Sequence, residues 1–235
     1  MDVHRSSIVL AKAYSAAALW AAGPGASPAG AQPAGGACQL QGVANISPPL
    51  TATAQSFAYN FTGTLGTGAM GSCQSNVAGA PPTGTVSAGI QLPETVTLTN
   101  ISTGGTTTGM VLYQEPISQG SGSCGSSTTA GTSLIAWNDG KSTVVDYATT
   151  GALAAVQLQG VVAAGMTLTL VASSVPAGYT APPTYIINTD EPAFPVGEES
   201  LALLTFSPST PDQNCETVGV SSADINGVVG IGRAP

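Results

Sequence analysis

The chain has 235 residues, 43% of them hydrophobic and only 7% charged, with twelve acids against four lysines and arginines. A formal charge of −8 at neutral pH sets it against nucleic acid, whose binding runs on basic side chains neutralising phosphates, and against anionic membrane surfaces. The one histidine is His4, so every nucleophile–histidine device or histidine metal centre would hang on a residue at the very start of the chain.

Residues 1–31 read as an export signal. His4, Arg5 and Lys12 supply a positive leader, and residues 8–22 an apolar stretch that Gly23-Pro24-Gly25 cuts short of a membrane span. Ala29-Gly30-Ala31 has the form of a cleavage site. Residues 32–235 are expected to form a single all-β domain, secreted and extracellular, with no membrane span. Lys141 and Arg233 are its only cations, and it contains no histidine.

Residues 56–65 give the clearest element. Phe57, Tyr59, Phe61, Gly63 and Leu65 alternate with small or polar partners, and a period of two places them on one face of a strand. Similar runs over 83–92, 95–101, 108–113, 132–137, 143–149, 152–162, 166–172, 201–206 and 225–231 predict further strands. Asn138-Asp139-Gly140, between two such runs, predicts a tight hairpin. The Ser/Gly-rich stretch 114–130, and 173–199 with its five prolines and four acids, predict long loops. No stretch beyond the leader carries a helical stripe. The fold expected is an antiparallel β-sandwich, with a β-barrel as the alternative, joined by Gly/Pro/Ser-rich loops.

Four cysteines, an even number, fit two disulfides in an oxidising compartment. Three pairings are open. The sequential one joins Cys38 to Cys73 and Cys124 to Cys215, closing loops that the chain-entropy model values at about 4 and about 5 kcal/mol. Without a C-x-x-C pair or a nearby histidine, zinc is not expected.

These features together resemble an uncharacterised group of exported Gly/Ser/Thr-rich bacterial β-proteins with paired cysteines. The resemblance is carried by Cys38-x-Leu40-x-Gly42 ahead of Ser47-Pro48, the aromatic strand ending near Gly63 before Cys73, the Ser/Thr tract from Cys124 to Trp137-Asn138-Asp139-Gly140, and Cys215 before an Ile-x-Gly strand. It implies export and an all-β fold, and brings no activity with it.

Chemistry is sparse. Gly131-Thr132-Ser133 imitates a serine-peptidase nucleophile, but no proline follows and no histidine is at hand, so it reads as a strand entry. Paired carboxylates are the one acid–base route, with Glu94, Glu115, Asp139 and Asp146 as candidates. Asp190, Glu191, Glu198 and Glu199 form an acidic loop that offers oxygen ligands for calcium, without a D-x-D-x-D-G pattern. Trp137, Tyr113, Tyr179 and Tyr185 are candidates for an aromatic platform that would stack on sugar rings. The function expected is therefore non-enzymatic, needing no cofactor or metal: a structural, adhesive or interaction protein whose partner is a polysaccharide or another extracellular protein. A carbohydrate-binding module and a carboxylate-dependent glycosidase are the alternatives.

Overall fold

Alternation of apolar and polar residues dominates the computed structural model, which describes residues 35–232 apart from 70, 153 and 154. The leader with His4, Arg5 and Lys12, its cleavage site, and Arg233 lie outside the described residues. Fifteen strands occur in order: β1 (Gly35–Leu50), β2 (Gln55–Leu65), β3 (Gln74–Ser75), β4 (Gly84–Ala88), β5 (Gln91–Asn100), β6 (Thr106–Gln114), β7 (Ser118–Ser123), β8 (Ser126–Trp137), β9 (Ser142–Ala152), β10 (Ala155–Ala163), β11 (Gly165–Leu170), β12 (Tyr179–Thr180), β13 (Thr184–Asn188), β14 (Glu199–Pro208) and β15 (Val220–Gly232).

The larger sheet closes on itself. Its order runs β1-β15-β14-β10-β9-β8-β4-β2, and β2 pairs back onto β1. This is an eight-stranded antiparallel barrel, the alternative expectation, rather than a two-sheet sandwich. One stave is assembled from two short strands. β4 pairs with the lower half of β2 and of β8, as in Leu65↔Gly84 and Gly84↔Trp137, while β7 pairs with their upper halves, as in Phe57↔Gly120 and Gly120↔Thr129. Between β4 and β7 the chain leaves the wall to form the β5–β6 hairpin. Together with β11, β12 and β13 it makes a second sheet of order β12-β5-β6-β11-β13.

Closure needs strands that approach and coil strongly, and inward glycines permit it. Gly42 and Gly63 face each other across β1 and β2; a Cβ on Gly42 would collide with the Thr62 carbonyl, and one on Gly227 with the Leu203 carbonyl. Glycine at such bends is how a sheet turns enough to shut. The Asn-Asp-Gly hairpin forms between β8 and β9 as expected. Gly140 N–H bonds Trp137 O at 3.1 Å, and only Gly140 takes positive φ, +88°, the pattern of a turn closed by a glycine bulge.

Alternation then builds two cores. Inward positions such as Phe61, Leu65, Ile135, Val145, Leu204 and Ile225 fill the barrel. The neighbouring outward residues Leu134 and Val144 meet Val96, Leu98, Val111, Tyr113, Met166 and Leu168, so the second sheet packs on the outside of the β8–β9 wall. Elsewhere the outer wall is mixed, with exposed Gln41, Asn45, Thr62, Thr64, Gln157 and Gln159 beside exposed Val43, Val161, Leu201, Leu203 and Val228. Among the described residues no helix is long and apolar enough to cross a membrane.

The disulfides join Cys38 to Cys73 and Cys124 to Cys215, the sequential pairing. The first ties the start of β1 to the β2–β3 loop at the lower end. The second ties the β7–β8 turn to the β14–β15 loop at the upper end, beside Ile46, Leu50, Phe57 and Val220.

Two expectations need correction. Residues 114–130 are not a loop: they hold β7 and the start of β8. Their serines and glycines line the barrel where a neighbour's ring needs room; a Cβ on Gly120 would run into the Phe57 ring. Residues 173–199 likewise contribute β12 and β13 to the second sheet.

Candidate functional site

The barrel interior is not completely filled. Its side chains leave a partly open cavity of about 100 Å³. One row of inward residues around the wall sets two large rings among small neighbours. Tyr59 on β2 pairs with Ser118 on β7. Tyr147 on β9 pairs with Gly131 on β8 and with Gly160 on β10, and Gly160 pairs with Ser200 on β14. Ser118, Tyr147 and Val145 atoms fill the space beside Gly131 and Gly160, and the open volume lies against the small side chains of Ala44, Ser127, Ser133 and Ser200. A closed barrel cannot shrink to compensate, because strand number and stagger set its diameter.

Most of the lining is apolar, with Leu40, Ile46, Phe57, Val145, Leu158 and Phe206 among its members. Set into it is a chain of five hydroxyls. Ser118 Oγ lies 3.0 Å from Tyr147 Oη, Tyr147 Oη 2.7 Å from Tyr59 Oη, Tyr59 Oη 2.9 Å from Thr129 Oγ1, and Thr129 Oγ1 2.7 Å from Thr149 Oγ1. Gly131 makes the arrangement possible, since a Cβ there would collide with Ser118 Oγ and crowd Tyr147 Oη. Burial pushes both phenols up, Tyr59 against the pull of its hydrogen bonds to Thr129 and Tyr147, and Tyr147 well above the ordinary range. Both are therefore neutral hydrogen-bonding groups at physiological pH, not bases.

Glu115 stands just outside this belt, where the chain returns from the second sheet to the barrel wall. It is 1% exposed. It accepts hydrogen bonds from Ser87 Oγ at 2.6 Å and from Ile90 N at 3.0 Å. Burial raises its pKa, and these two bonds partly offset the rise. Its place is structural: it ties the end of β4 to the start of β7 across the break in the stave.

The other acids are dispersed. Glu94 belongs to β5 of the second sheet and bears on Tyr185. Asp146 sits on the outer face of β9 and accepts from Thr132 Oγ1 at 2.6 Å. Asp139 lies in the β8–β9 hairpin, 2.8 Å from Lys141 Nζ, which also reaches Glu191 at 3.3 Å. Glu191 is buried and accepts from Ala193 N. Asp190 accepts from Ser142 N at 2.7 Å, while Glu198 and Glu199 point elsewhere on the loop and β14. The acidic loop thus acts as a latch. It presses Phe194 onto Trp137, ring centroids 5.0 Å apart, and closes the lower end of the barrel. Among the described residues, no three His, Cys, Asp or Glu side chains converge as a metal site would require.

The aromatic platform is overturned. Trp137 is 4% exposed and donates its ring N–H to Thr143 Oγ1 at 2.8 Å. Tyr113 is fully buried in the other core, with its hydroxyl on Pro182 O and its ring 5.5 Å from Tyr185. Tyr179 and Tyr185 are half-buried against that same core. The four rings stand in two separate interiors and present no shared face. Burial wins because a ring at an inward strand position gains more from the core than from water.

The residues that do converge include Tyr59, Ser118, Thr129, Tyr147 and Thr149. Strand alternation places Tyr59 in the core but does not single out the rest. A signal is present: Ser127, Thr129, Gly131 and Ser133 continue, in step, the period that ends in Ile135 and Trp137. No protein-family model, curated protein or solved structure matches this chain.

Proposed function

We propose that this is a secreted, non-catalytic binding protein that takes a small molecule into its barrel. One observation carries the reading: an eight-stranded antiparallel barrel whose inward residues are too small to fill it, leaving an apolar cavity with a compact polar belt. Barrels of eight strands either pack solid or hold one small ligand, and apolar walls with a few convergent polar groups are the usual make-up of a ligand site. Export is supported by the two disulfides and by the leader-like sequence. Absence of catalysis is supported by the lack of histidine in residues 35–232, by the dispersal of the acids and by the neutrality of the buried phenols.

Thermal unfolding with a panel of small apolar molecules tests it. Saturable increases in Tm are expected in the wild type and should vanish in Ala44→Leu, whose larger side chain would occupy the cavity that Ala44 lines. Absence of any increase, or equal increases in that variant, would overturn the proposal.

Adhesion keeps one support of its own. The outer face of the second sheet presents Thr95, Thr97, Thr106, Thr108, Thr167 and Thr169, exposed and uncharged, around exposed Met110 and Ile186, a surface suited to neutral polymers. Retention on insoluble polysaccharide, abolished by Thr97→Lys, would establish that role; equal retention of the variant or none at all would dismiss it.

A further inference from the structure

Resting on the binding reading, we infer that the barrel selects electrically neutral ligands bearing one hydroxyl or carbonyl group on a small apolar body, and rejects charged molecules of the same shape. The protons of the polar belt can be counted. Five hydroxyls in a chain, Ser118–Tyr147–Tyr59–Thr129–Thr149, are joined by four links. Each link uses one proton, which leaves one O–H over among the five, and the four hydroxyls that line the cavity, on Tyr59, Thr129, Tyr147 and Thr149, retain oxygen lone pairs to accept. A ligand hydroxyl or carbonyl can join this chain without leaving any group unsatisfied.

Charge is a different matter. Lys141 is the only basic side chain among residues 35–232, and it is held at the lower hairpin by Asp139 and Glu191. Among the described residues, nothing inside the barrel can pair with an anion. Glu115 lies near enough to raise the Tyr147 pKa through its charge, so the field opposes an anion further. A cation fares no better. Glu115 already commits its oxygens to Ser87 Oγ and Ile90 N, on the far side of the wall from the lining. Burying an unpaired ion among apolar side chains is heavily unfavourable. Size is limited too. A partly open cavity near 100 Å³ is of the same order as the roughly 150 Å³ that accepts a six-carbon ring, which limits bodies to about five carbons.

The test uses three molecules of one shape: 1-pentanol, pentanoate and pentylammonium. Each is titrated into the isotopically labelled full domain at neutral pH while the methyl signals of Leu40, Ile46 and Val145 are monitored. Pentanol should shift those signals saturably, with an affinity at least about 100-fold above either ion, since each tenfold step corresponds to only about 1.4 kcal/mol. Tyr59→Phe, which keeps the ring and removes the central hydroxyl, should weaken pentanol binding about tenfold while the methyl spectrum of the unliganded barrel stays dispersed. Ala44→Leu should abolish the shifts. Binding of pentanoate or pentylammonium as tight as that of pentanol would overturn the selection rule and leave the binding barrel standing. Silence of all three at the cavity methyls would remove the binding reading itself.

Discussion

The barrel interior and the core beneath the second sheet are built from the same alternating strands, even from adjacent residues of the same strand, yet they pack differently. Ile135 and Val145 point into the barrel, while Leu134 and Val144 point out beneath the second sheet. In the outer core two layers can settle to whatever distance their side chains dictate, near 10 Å. In the barrel the diameter is fixed by eight strands and their stagger, so small lining residues such as Ala44, Ser127, Ser133 and Ser200 leave volume that nothing can take up. A cavity here comes from topology and small residues together, and neither alone would make one.

The largest expected effect tests how far the barrel depends on its staples. Both disulfides tie barrel ends and neither touches the second sheet. Urea denaturation of Cys124→Ser/Cys215→Ser should show a loss of about 5 kcal/mol, and of Cys38→Ser/Cys73→Ser about 4 kcal/mol, from loops of 91 and 35 residues. Equal losses, or a larger loss for the shorter loop, would mean that native contacts rather than chain entropy set the contribution.

Next in size is truncation of the tightly packed core. Leu168 is fully buried under the second sheet, and Leu168→Ala should cost about 3 kcal/mol in the same assay. A cost under about 1 kcal/mol would show that this core is as loose as the barrel.

Adding atoms separates the two regions by sign. Val144→Leu, at a fully buried position of the outer core, should destabilise by about 2 kcal/mol through overpacking. Ala44→Val, beside the cavity, should be neutral or stabilising by up to about 1 kcal/mol. If both variants lose stability alike, the cavity has no room to give.

The smallest effect concerns Glu115, which joins the two regions. Its folded pKa lies above that of the unfolded chain because burial disfavours the charge. The folded state therefore binds the proton more tightly. Stability from this group is full below the unfolded glutamate value and falls as pH rises through the raised one. In Glu115→Gln that part of the decline should disappear from a series of denaturation curves across this pH range. An unchanged profile would place the pH dependence elsewhere.

Much of the fold was legible. The strand at 56–65, the Asn-Asp-Gly hairpin, the sequential cysteines and the all-β class derive from period, turn chemistry and residue counts, which are local properties. The site was not. Trp137 and Tyr113 look like exposed hairpin and loop aromatics until the latch brings Phe194 onto one and the second sheet brings Tyr185 onto the other. The Ser/Gly tract 114–130 looks like a linker because composition signals turns, whereas here Gly120 makes room for the Phe57 ring and Ser118 meets Tyr147 reaching from β9.

By itself the sequence determined what the molecule cannot use. With no histidine and a single lysine across residues 35–232, that stretch offers no imidazole and only one ammonium group, since residue types are fixed whatever the fold. Tertiary structure decided which hydroxyls meet. Ser118 and Tyr147 lie 29 positions apart in the chain, and Tyr59 and Tyr147 lie 88 apart. They touch only when the sheet closes, because the register across β2, β7, β8 and β9 then stacks them on one inner face.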